Sequence, residues 1–332
     1  MGYSISVLNN IRANATQEYQ ARIPEATQQN IIAVGNALEQ YGLLYNEFFP
    51  ALFNKIGKTM IESKLFKNKL ARFKSGTILS NQDVEEIFVE MSKAEGAYDK
   101  TGPNPLGRRQ GPDVKVVYHR LNRQDYYAIT IGDLDVLRVF RSEASLDTFI
   151  TGLFNSVYSG AEYDEYLAMK NLLNTYDGYI NIGISPGNGD HAEDAKTIVK
   201  AIRNTSIAMT FPDTAFNKAK VRTWTPEDKQ VLFIRGDMLI NMDVELLSKS
   251  FHLGKAEIPL EIIPVDAFGD GEDLTLAILA DKDFFRIWDT LSKMEPQRNA
   301  QGLFTNYFYH HHQILSLSPF KNAVRFVLDM GE

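Results

Sequence analysis

The sequence predicts an α+β fold, and three features carry that expectation. A run with helical spacing occupies residues 145–176, two strand candidates joined by a Gly- and Pro-rich tip precede it, and strands alternate with helices beyond residue 178. The 332 residues suffice for one large or two ordinary domains. With 44% hydrophobic and 23% charged residues, the chain is of globular rather than disordered composition. No run of 18 apolar residues occurs, so no membrane span is expected. The polar start "MGYSISVLNNIRANATQEYQ" does not read as a secretory signal. The absence of cysteine excludes disulfides, thiolate metal sites and a cysteine nucleophile.

In chain order, the first 30 or so residues are polar, broken by Pro24, and read as an extended or mobile arm. From Phe48, the positions Phe49, Leu52, Phe53, Ile56 and Met60 recur at three- and four-residue steps, which predicts a helix with Pro50 in its first turn. "DVEEIFVEM" (83–91) is a strand, and "VKVVYHRLNRQDYYAITI" (114–131) one long strand or two. Between them lies a tip holding Gly96, Gly102, Pro103, Pro105, Gly107, Gly111 and Pro112, too long for an ordinary internal loop, so the pair reads as a projecting hairpin.

The 145–176 helix is the strongest local signal. Leu146, Phe149, Ile150, Leu153, Val157, Ala161, Leu172 and Leu173 keep its spacing, Ser145 suits its N-cap, and Asp177-Gly178 stops it. At 1.5 Å per residue it is roughly 45 Å long, a spine across which other elements are laid. Gly152 and Gly160 cost it about 1 kcal/mol each against alanine. Beyond it come "YINIGIS" (179–185), "DHAEDAKTIVKAIRN" (190–204), "VLFIRG" (231–236), "DVELLSKSFHLG" (243–254), "EIPLEIIPV" (257–265), "LTLAILA" (274–280) and "DKDFFRIWDTLSK" (281–293). Two strands close the chain, at 307–317 and 322–328, and no internal repeat is visible.

Several motifs suggest chemistry and yield to plainer readings. Gly187, Gly189 and Ala192 fit G-x-G-x-x-A between a strand and a helix, with Asp213 some twenty residues on, as in a dinucleotide site. Yet Asp190 and Glu193 put carboxylates where phosphates would sit, unfavourable by about 0.3–1 kcal/mol per charge. Arg235–Asp237 spells RGD but reads as a strand end and turn. Glu162, Asp164 and Glu165 lie together on the long helix without the Glu-x-x-His partners of a bundle metal site, and read as a solvated or intersubunit face. His310, His311 and His312 fall in the 307–317 strand, where alternation sends His310 and His312 one way, and Tyr309 and His311 the other. With no carboxylate within eight residues, they read as structural. Lys55, Lys58, Lys64, Lys67, Lys69, Arg72 and Lys74 face a single Glu62 and read as a solvated helix face, and the net charge of −7 opposes tight nucleic-acid binding. No catalytic, cofactor-binding or metal residue is therefore assigned.

Four strings, "NRQDYYAITI" (122–131), "SGAEYDEYLAMKNLL" (159–173), "VLFIRGDMLINMDVELLSKSFH" (231–252) and "YFYHHHQILSLSPFKNAVRFV" (307–327), resemble the major capsid proteins of phi-29-like short-tailed bacteriophages. The resemblance implies a Hong Kong 97-type shell fold. It sets residues 1–40 as an N-terminal arm, 41–69 as a helical segment and 70–131 as the E-loop. The peripheral domain with its spine helix becomes 132–179 and 306–332, and the axial domain 180–305. Some relatives carry a further C-terminal immunoglobulin-like domain, for which the 332 residues leave no segment. The resemblance also implies a non-enzymatic subunit that forms pentamers and hexamers in the virion. It would assemble in the host cytoplasm with a scaffolding protein and a portal, around non-specifically held double-stranded DNA, with no membrane and no cofactor. A related encapsulin-like compartment shares the fold, and a nucleotide-binding α/β enzyme built on Gly187 and Gly189 is the alternative from another class.

Overall fold

A computed structural model describes residues 3–40, 48, 66–79, 82–92, 111–132, 143–185, 191–236, 238, 260–269 and 274–328. The helix expected from Phe48 to Met60 (beyond Phe48 itself), most of the hairpin tip, Gly187, Gly189 and the 243–254 segment lie outside them. The chain divides into two compact units.

The first unit takes Met1–Ala71, Arg123–Leu167 and Asp289–Gln313. Its beginning differs from the extended arm expected of it: α1 (Tyr3–Asn14), α2 (Gln17–Arg22) and α3 (Ile31–Gln40) are helices. Ile5, Leu8 and Ile11, at three-residue steps, share one face of α1 and are buried. Leu8 and Ile11 enter a core with Tyr19, Ile23, Val34, Leu38, Val157, Tyr158 and Tyr307. The polar residues that suggested an arm bond the backbone instead. Asn9 brackets Ala26, donating Nδ2 to its carbonyl at 2.9 Å and accepting its N–H at 2.7 Å. Arg12 donates to the carbonyls of Ile23 at 2.8 Å and Gln20 at 2.9 Å, so the chain around Pro24 is held by side chains. Thr16 caps α2 by accepting from Tyr19 N–H.

The same unit holds β4 (Arg123–Gly132) and most of α4 (Glu143–Thr175), a continuous helix of 33 residues where the spine was expected. It also holds most of β9 (Phe285–Asn299) and β10 (Phe304–Leu317). β10 runs antiparallel to β4, with His311 opposite Asp125 and Gln313 opposite Arg123. The stretch 114–131 is thus two strands, and its second half pairs outside the hairpin. β9 corrects the alternation expected of 281–293: after one 3-10 turn, Lys282–Phe284, that stretch is strand. Phe285 and Ile287 are buried with Arg286 between them only partly so, but the next buried position, Thr290, is three residues on, so the period of two breaks at Trp288 and Asp289 and leaves no clean strand signal in the sequence.

The second unit comprises Arg72–Asn122, Ala168–Trp288 and Ile314–Glu332. It carries β1 (Gly76–Thr77), the hairpin β2 (Val84–Val89) and β3 (Val114–His119), and a five-stranded sheet. The sheet takes β5 (Ile180–Ile184), β6 (Gln230–Arg235), β7 (Glu261–Val265), β8 (Thr275–Asp281) and β11 (Ala323–Leu328) in the order β5-β11-β8-β6-β7. β11 pairs parallel with β5 and antiparallel with β8, so 323–328 complete the sheet of the 180–281 segment. Both faces of β6 and β8 are covered, which is why "VLFI" and "LAILA" are unbroken apolar runs. On one side α5 (His191–Met209) brings Ile198, Val199, Ile202 and Met209 against Leu232, Ile234, Leu279 and Phe326. Elsewhere Phe233 meets Phe73 and Phe285 with ring centroids 5.7 and 5.9 Å apart. Each such side chain contributes about 1.5–3 kcal/mol by leaving water.

α4 ends at a turn that admits no side chain. A Cβ on Gly178 would stand 2.6 Å from Lys218 Cβ and from the ring of Tyr176. Lys218 is itself fixed there, paired with Asp177 and lying over the Tyr176 ring. Gly178→Ala is expected to lower the stability of the unassembled subunit by roughly 1–3 kcal/mol in denaturant titration. Gly160→Ala meets open space in the helix interior and is expected to raise it by up to about 1 kcal/mol.

Candidate functional site

Two polar clusters and one exposed face stand out, and the first grows from α4. Helical spacing puts Glu162 and Glu165 on neighbouring turns, and Glu165 is only 1% exposed. It is not the solvated or intersubunit face expected from the sequence. Its Oε1 accepts from Nδ2 of Asn68 at 2.8 Å and its Oε2 from Nε2 of Gln313 at 2.5 Å. Glu162 accepts the Asn68 backbone N–H, and Asp164 the hydroxyl of Tyr127. Gln313 also donates to Oδ1 of Asp289 at 2.7 Å, while its own Oε1 accepts from Arg123 at 2.8 Å. Arg123 is held in turn by Asp125 at 2.6 Å and by Tyr127.

His311 completes this cluster. The strand alternates as expected: His311 is buried at 6% exposure, while His310 and His312 are half-buried, with His310 beside Tyr126. No carboxylate lies within eight residues of the histidines along the chain, yet two lie beside His311 in space. His311 Nε2 lies 3.4 Å from Asp289 Oδ1 and 3.8 Å from Glu165 Oε2. These partners are 22 and 146 positions away in the chain, beyond a search of eight residues. Nδ1 of His311 is buried without a hydrogen-bond partner, a cost of about 1–3 kcal/mol. Among the described residues, Glu165, Asp289 and His311 form a group whose ligand atoms all lie within 4.8 Å of one another.

The second cluster ties down the hairpin. β2 and β3 pair from Val84 opposite His119 to Val89 opposite Val114, and one face turns inward. Phe88 stacks on Phe320, and Lys115 donates to the Ala219 carbonyl at 2.8 Å. Glu86 accepts from both Nε and Nη2 of Arg286, at 3.0 and 2.8 Å, and from Ser318 Oγ at 2.8 Å. Its other oxygen faces His119 Nε2 at 3.1 Å. Burial pushes the Glu86 carboxyl up. The bonds from His119, Arg286 and Ser318 and the charge of Arg286 outweigh that and bring it down to about 2.

The opposite face of the hairpin is apolar and open. Ile87 lies across from Val116, and Val89 from Val114, with exposures of 57% and 41% for the first pair. Tyr118, also exposed, donates to Glu85 at 3.2 Å. Like the Glu86 cluster, this face went unassigned in the sequence, although a strand apolar at both alternating sets of positions, as Val84 to Val89 nearly is, signals two covered faces.

The remaining candidates do not gather into a site. Gly187 and Gly189 lie outside the described residues. Asp213 uses Oδ1 to accept the backbone N–H groups of Thr214 and Ala215, a turn role rather than a ribose contact. Arg235 ends β6, and Asp237 is outside the described residues. Of the basic run, Arg72 pairs with Glu261, and residues 55–65 are outside the description.

Comparison with known proteins gives a consistent result. The family described as Phi29-like phage major capsid protein matches residues 8–327. The major capsid protein of Bacillus phage B103 is 33% identical over 98% of this chain and 73% of its own length. That of Streptococcus phage Cp-1 is 31% identical over 96% of this chain and 93% of its own. In the capsid structure of Staphylococcus phage Andhra, one chain is similar with a TM-score of 0.65 at 12% identity, covering 80% of this chain and 85% of that one. This last likeness bears on the fold alone, and it agrees with the Hong Kong 97-type fold.

A depressed carboxyl makes stability depend on acid. Glu86 titrates near 2 in the folded chain against an ordinary 4.5, so its contribution is complete above 4.5 and is lost as the pH falls toward 2. Glu86→Gln is expected to destabilise the chain above that window. Denaturant titrations at successive pH values should show the gap to wild type narrowing between 4.5 and 2.

Proposed function

The chain belongs to the family of phi29-like phage major capsid proteins, and from that premise we propose how its parts build a shell. It is a shell-forming structural protein of the virion capsid, where many copies associate. Neither the nucleotide-binding nor the encapsulin-like alternative gains support. Residues 1–40, helical in α1 to α3, serve as the N-terminal arm, 41–69 as a helical segment, and 70–131 as the E-loop, whose last residues, in β4, pair with β10. The peripheral domain takes 132–179 and 306–332 with α4 as its spine, and the axial domain 180–305, whose sheet β11 completes. The subunit performs no catalysis. It forms pentamers and hexamers, assembles in the host cytoplasm with a scaffolding protein and a portal, and encloses double-stranded DNA. The net charge of −7 suits a wall that holds DNA without gripping it.

One observation carries the E-loop assignment: the apolar pairs Ile87–Val116 and Val89–Val114 face outward on a hairpin whose other face is anchored. Such a face is a liability in a monomer and an asset against a neighbouring copy. Interlocking of this kind lets interfaces of roughly 1,600 Å² add through simultaneous contacts.

The experiment is negative-stain electron microscopy of the full chain produced alone and with its genomic neighbours. Closed shells are expected under at least one condition. Uniformly small species under both, stabilised by NAD, would overturn the reading. Replacing Ile87 with Glu and Val116 with Lys together should abolish shells while shifting subunit stability by no more than about 0.5 kcal/mol per site. Normal shells from that double variant would remove the hairpin face from the assembly surface.

A further inference from the structure

We propose that Glu165, Asp289 and His311 form a binding site for one divalent transition cation of the Zn²⁺ class, internal to each subunit. The three side chains come from three elements, α4, β9 and β10, whose spacing is set by strand pairing and helix packing rather than by the cluster itself. Their ligand atoms all lie within 4.8 Å of one another. One imidazole nitrogen with two carboxylates is a donor set that suits Zn²⁺ and its neighbours, whereas Mg²⁺ and Ca²⁺ prefer oxygen alone.

The separation of His311 Nε2 from Asp289 Oδ1 matches that chemistry, and its separation from Glu165 Oε2 is slightly longer. A charge-assisted N–H to carboxylate bond is about 2.7–2.9 Å long, and His311 Nε2 stands 3.4 and 3.8 Å from its two carboxylate oxygens. Two ligands each about 2.0–2.2 Å from a tetrahedral ion are roughly 3.3–3.6 Å apart. A second observation concerns the same ring. His311 is more than nine-tenths buried and stacked on Tyr309, and Nε2, the nitrogen that faces the two carboxylates, has there only a long hydrogen bond of 3.4 Å to Asp289 Oδ1. A cation centred among the three atoms gives the ring the strong contact that those long approaches do not. The two carboxylates together match a charge of +2.

Gln313 competes for the same lone pairs, since its Nε2 donates to Glu165 Oε2 and Asp289 Oδ1. Arg123, bound to Gln313 Oε1, keeps the amide turned that way. Ion binding therefore exchanges two amide contacts for three coordinate bonds. Gln313→Glu, which replaces the competing donor with a third carboxylate, should weaken the metal-free protein and tighten its hold on the ion.

The test uses the full chain, stripped with EDTA and dialysed against Zn²⁺, with bound metal counted by mass spectrometry and melting followed with and without the ion. One Zn²⁺ per chain is expected, with a rise in Tm of roughly 5 °C at a hundredfold excess over Kd. Co²⁺ in its place should give the visible d–d absorption of a low-coordinate site. Asp289→Asn, the least buried ligand and the variant best placed to fold, should lose the ion and the shift. His310→Ala together with His312→Ala should lose neither. Gln313→Glu should melt lower than wild type without Zn²⁺ and recover with it. Absence of Zn²⁺ binding, retention of stoichiometric Zn²⁺ by Asp289→Asn, loss of it in the His310/His312 variant, or no rescue of Gln313→Glu would each overturn the assignment.

Discussion

A carboxylate taken out of water must be met by donors, and that demand organises both units of this subunit. An unanswered buried charge costs several kcal/mol, so its donors have to arrive together and in register. Glu165 draws them from Asn68 and Gln313, which lie nearly a hundred positions before it and almost a hundred and fifty after. Glu86 draws them from β3, β9 and the turn after β10. A one-residue slip of β10 against β4 would carry Gln313 to the opposite face of the strand and take its amide away from Glu165. The apolar cores supply most of the driving force, but apolar contacts tolerate sliding. The buried carboxylates do not.

The legible and illegible parts of the sequence divide along the same line. Periodicity revealed α4 almost to the residue, along with the strands β2, β6, β8 and β11, because each has one or two faces covered by apolar groups. It misread the first 30 residues, where polar side chains such as Asn9 and Arg12 serve the local backbone and composition cannot show it. It misread β9 because its buried positions, Phe285, Ile287 and Thr290, do not keep a period of two. The alternation of His310, His311 and His312 was legible, and the company His311 keeps was not. Asp289 and Glu165 reach it through strand pairing and helix packing, and neither leaves a local trace in a single sequence.

For a shell subunit the arrangement has a clear logic. The hairpin β2–β3 is fastened along one face by Glu86, Phe88 and Lys115, and offers the other face for contact. A freely mobile hairpin would lose conformational entropy at every neighbour it met, at about 1–2 kcal/mol per backbone residue ordered. Anchoring the strands beforehand lowers that cost and lets contacts that are individually modest close a large container. On the assembly surface proposed above, the polar groups that set the hairpin inside its own unit would influence contacts outside it.

The order of strands in the five-stranded sheet has a further consequence for how the subunit is made. β11, residues 323–328, lies between β5 and β8, so β5 has no neighbour in that sheet until β11 is in place. A ribosome translating the message from its first codon releases the hairpin, the spine and four strands of the sheet before the strand that joins β5 to the others exists. The sheet closes only on a chain synthesised at least to Leu328, with contacts that span almost 150 residues, a topology that folds slowly. A nascent chain therefore lacks a finished sheet until Leu328 has been made.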